Sequence, residues 1–178
     1  MTVRNVPAKV RVNNVDTIVE LDETEILTNK TLTLPVISGI KESWTIDSSS
    51  AIGAAPTLNV SSSTAFLYTV ATTGSWVPNF GHASSTSATT SVNTLLAVGQ
   101  SMTVTVAVNV ANNTAHYAST IKIDNVAVGT PAGFTLNWQG GVAPTAGSVL
   151  AYDAYTYTII KTASATYTVF ASKTKFDN

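Results

Sequence analysis

The sequence predicts an all-β protein: a β-sandwich or jelly-roll-like domain preceded by an extended N-terminal segment. Three observations carry this expectation. Apolar and polar residues alternate with period two in several runs, and no window shows a sustained 3.6-residue apolar repeat. Threonine, which is β-branched and packs well on a pleated surface, is unusually abundant. Ser and Thr together make roughly a quarter of the 178 residues, whereas charged residues make only 11%, under half the usual share. At 44% apolar content the chain can fill a core.

Charge divides the chain. Residues 1–47 hold Arg4, Lys9, Arg11, Lys30 and Lys41 against Asp16, Glu20, Asp22, Glu23, Glu25, Glu42 and Asp47. From Ser48 to Ile121 there is no Asp, Glu, Lys or Arg. The break predicts an N-terminal attachment segment, 1–43, and a neutral globular domain, 44–178. Within the first, ILTNKTLTLPVISG (26–39) alternates leucine with hydroxyl and amide residues, and Pro35 rules out a helix there. Such a ribbon cannot bury itself, so its backbone groups need partners from elsewhere.

The elements of the domain follow in order. AFLYTVA (65–71) reads as a strand, and NFGHASSTSATTS (79–91) as an exposed loop. VNTLLAVG (92–99) allows one helical turn at most. SMTVTVAVNV is the clearest strand, with Met102, Val104, Val106, Val108 and Val110 on one face and Thr103, Thr105, Ala107 and Asn109 on the other. Strands are also expected at 116–123 and 134–138, followed by an exposed Gly/Pro-rich loop at 139–148. YTYTIIK (155–161) puts Tyr155, Tyr157 and Ile159 on one face, and TYTVFAS does the same with Tyr167, Val169 and Ala171. Residues 162–165 between them have the length of a hairpin turn.

Chemistry-bearing patterns are scarce. Glycoside hydrolysis needs two carboxyl groups at set separations, and only Asp47, Asp124, Asp153 and Asp177 are at hand after Glu42. Asp124, in KIDNV, reads as a turn residue in an Asp-Asn pair. No GxSxG elbow occurs, and His82 and His116 lack metal-ligand spacing. Gly140-Gly141 opens neither a helix nor a GK[ST] phosphate cradle. No catalytic residue, metal or cofactor is therefore expected. A net charge of −1 and a pI near 6.0 favour neither nucleic acid nor an anionic membrane. MTVRNVPAKV has no apolar h-region, so synthesis in the cytoplasm without a secretion signal is expected. Of the three tryptophans, Trp138 reads as a plug at one end of the core. Trp76, in GSWVPNFGH, has the better claim to exposure, and with Asn79 and His82 would form a sugar-stacking site.

Two stretches resemble a known family. Ile26-Leu27-Thr28-Asn29-Lys30-Thr31-Leu32-Thr33-Leu34-Pro35-Val36-Ile37 is similar to a recurrent segment of tail-fibre and other virion structural proteins of tailed bacteriophages, those of marine cyanobacteria in particular. Residues 137–176, with a W-x-GG-x-x-P-x-x-G turn, a Tyr-rich strand ending in IIKT and a closing strand, look like the same family. The resemblance implies a non-enzymatic virion component, usually a homotrimer, whose residues 1–40 meet other virion proteins. Leu27, Leu32, Leu34, Pro35 and Ile37 would make the oligomer or virion contact. A tail-fibre-like or spike appendage is the first expectation. The alternatives are a head-surface decoration or collar protein, or a lectin-like module that binds host polysaccharide.

Overall fold

The computed structural model describes residues 10–12, 15–17, 41–111, 115–129 and 133–177. The chain divides into two compact units, 1–40 and 41–178. In the first, strands β1 (Val10–Val12) and β2 (Val15–Thr17) pair antiparallel, with Val12 opposite Val15. The ribbon residues Leu27, Leu32, Leu34, Pro35 and Ile37 lie outside the described residues.

The second unit is almost entirely β. Its strands are β3 (Trp44–Ala51), β4 (Thr57–Leu58), β5 (Ala65–Val70), β6 (Asn79–Phe80), β7 (Ser101–Ala111), β8 (Lys122–Ile123), β9 (Val126–Ala127), β10 (Thr135–Trp138), β11 (Ala151–Ala163) and β12 (Thr166–Asp177). A single helical turn, α1 (Val92–Leu95), precedes β7. Six strands form a large sheet in the order β10-β12-β11-β7-β5-β3, and four form a small sheet in the order β4-β6-β8-β9.

From β3 to β8 the chain passes repeatedly from the large sheet to the small one and back. Strands joined through the opposite sheet, unlike hairpin strands, can return parallel to their predecessors, and they do so at β3–β5–β7 and at β4–β6–β8. Residues of like register then stack on one another. Leu58, Phe80 and Ile123 form one such stack, Phe66 and Val106 another, and all five are buried. The β11–β12 hairpin adds to β7 antiparallel, with β11 paired on both sides, and β10 lies parallel along the outer edge of β12. The architecture is an all-β sandwich of mixed topology. The jelly-roll alternative, which is antiparallel, gives way to this winding.

The period-two runs fold as their patterns require. Val104, Val106, Val108 and Val110 face inward from β7, Tyr155, Tyr157 and Ile159 from β11, and Tyr167, Val169 and Ala171 from β12. Across the sandwich, the Phe80 ring lies 5.0 Å from Tyr157 and Trp76 meets Tyr155 edge-on at 5.5 Å. Burying each such large side chain contributes about 1.5–3 kcal/mol. Trp138 is half-buried: it packs edge-on against Tyr155 and Tyr157 and donates its Nε1–H to the Ser119 carbonyl.

Two expectations need correction. Only Lys122–Ile123 of the strand expected at 116–123 is in a sheet. Upstream, the Tyr117 and Ala118 N–H groups donate to the Ser75 and Tyr155 hydroxyls instead of to a neighbouring strand. The loop expected at 79–91 begins with a buried strand, because Asn79 and Phe80 pair with both Thr57–Leu58 and Lys122–Ile123.

Candidate functional site

The buried charged groups are engaged in holding the fold. Asp124 and Asn125 are the two central residues of the β8–β9 hairpin, both with positive φ, as a two-residue turn requires. The turn carries the Asp124 carboxylate, only 3% exposed, to the start of α1. There Oδ1 accepts from the Val92 and His82 N–H groups, at 2.9 and 3.0 Å, and Oδ2 accepts from Asn93 N–H at 3.1 Å. Ser91 Oγ caps the same end by accepting from Thr94 N–H. At the other end, the buried Lys161 ammonium donates to the Asn93 and Leu96 carbonyls, at 2.6 and 2.9 Å. One helical turn is thus pinned between a carboxylate and an ammonium, each at the end its charge suits. Gly81 completes the lock: its φ is +95°, and an added Cβ would lie 2.2 Å from Asp124 Oδ1.

A second group sits on the hairpin. Asp153, fully buried, accepts from Lys173 Nζ at 3.1 Å and from Ser148 N–H at 3.1 Å. Lys173 also donates to the Ala146 carbonyl, so the pair fastens the preceding loop. On β3, hydrogen bonds from the backbone and hydroxyls of Ser49 and Ser50 hold the exposed Asp47 carboxyl down at about 2. That turn coincides with a register shift between Asp47 and Ala51, which bends the strand at the sheet edge.

A broad depression lies elsewhere, on the outward face of the large sheet. It encloses about 600 Å³. Its walls are Trp44, Leu67, Tyr152 and Phe176, and its floor is built from small residues: Thr105 and Ala107 of β7, Ala154 and Thr156 of β11, and Thr174 of β12. The registers Leu67–Ala107, Ala107–Ala154 and Ala154–Thr174 put these residues in a row across four strands. A neighbouring hollow of about 440 Å³ shares Thr156 and extends the face to Phe170 and Asn137. No charged side chain lines either hollow. The chemistry on offer is apolar contact with a few hydroxyl groups.

The residues expected to stack on sugar are not gathered on a surface. Trp76 is 2% exposed, with its ring against Tyr155. Asn79 is buried, its amide donating to the His82 carbonyl and accepting from Asn125 N–H. His82 is half-buried; its N–H donates to Asp124, and its Nδ1 accepts from Ser84 N–H. Asn79 and His82 spend these polar atoms on the fold, because the Phe80 stack draws their segment inward. Trp44, the ring that is exposed, stands at the groove. Among the described residues, no group of three or more His, Asp or Glu could hold a metal ion, and no helix is long and apolar enough to cross a membrane. No protein-family profile, curated protein or solved structure matches this chain.

Proposed function

We propose that this chain is a structural, non-enzymatic component of a tailed-phage virion: a tail-fibre-like or spike appendage that assembles as a homotrimer. In this reading residues 1–40, where charge is concentrated, bind another virion protein, since charged pairs set orientation and partner choice. The observation that carries it is how the domain spends its polar groups. Asp124, Lys161, Asp153 and Lys173 fasten a helix and loops, while the broad exposed face is apolar and suited to assembly. The resemblance of 26–37 and 137–176 to virion proteins supports the same reading.

The test is incorporation into particles. Full-length protein supplied during infection should be found on purified virions by immunogold labelling, and a chain lacking residues 1–40 should fold yet be missing from them. Normal incorporation of the truncated chain would refute the role given to the N-terminal segment. Absence of the full-length protein from virions would refute the reading itself.

A further inference from the structure

We draw no further inference here: the strongest candidate, the apolar hollow on the outward face of the large sheet between Trp44 of the edge strand β3 and Phe176 of β12, is a surface for which nothing in the structure shows what covers it.

Discussion

Asp124 shows how much can depend on one side chain. Its carboxylate serves three backbone N–H groups from two segments, and nothing else nearby could replace it. Asp124→Ala leaves those donors buried without acceptors, so stability should fall by about 3 kcal/mol or more, read from the denaturant midpoint. Two adjacent tyrosines make a contrasting pair. The Tyr155 hydroxyl accepts from Ala118 N–H, whereas the Tyr157 hydroxyl is buried without a partner. Tyr155→Phe should destabilise by about 1 kcal/mol, and Tyr157→Phe should be neutral or stabilise by a similar amount. Burial raises the pKa of Tyr155, Tyr157 and Tyr167, with Asp153 adding to the first and Asp124 to the last. A raised folded-state pKa contributes stability below the unfolded value, near 10, and that contribution is lost as pH climbs toward the folded value. Phenolate absorbance should therefore show these three rings ionising together with alkaline unfolding, above the ordinary tyrosine range. Of these roles, only the Asp-Asn turn was legible in sequence. The partners of its carboxylate lie more than thirty positions away, and no local pattern encodes them.

At the scale of elements, legibility followed the number of residues that carry a pattern. β7, β11 and β12 are long, with one buried face each, so alternation identified them and their inward residues. The two-residue strands β4, β6, β8 and β9 are too short for any period, and only their stacking across turns of the chain defines them. β3 was hidden for another reason: its residues are mostly exposed, so it has no buried face to write into the sequence. The sequence at 92–99 allowed one helical turn at most, and the four residues of α1 cannot sustain a helix in water by themselves. Lys161 and Asp124 supply what propensity cannot. Lys161→Met keeps the buried stem and removes both carbonyl contacts, and should cost about 1–3 kcal/mol. Hydrogen exchange at Leu95 and Leu96 should accelerate more than exchange in β11. The groove escaped notice because its residues come from five strands, and the alternation that places Ala154 and Thr156 outward also describes any solvated face.

In the second unit a winding is followed by the long β11–β12 hairpin, and the order of events in making it follows. Parallel turns through opposite sheets join residues far apart in the chain, so each has a large loop-closure cost and few local contacts to offset it. The β11–β12 hairpin is the opposite case, turning through Ser164 and Ala165 with twelve paired positions close in sequence. It also supplies the tyrosines against which Trp76 and Phe80 rest. Yet it is made after the rest of the second unit. A nascent chain ending before Ala151 should stay protease-sensitive and aggregation-prone, and the unit should fold only once the hairpin has been made, with the hairpin structured in the transition state. Limited proteolysis of stalled chains and refolding kinetics of hairpin mutants would measure this. Synthesis of the hairpin would then act as the timer that keeps the apolar outward face from forming too early.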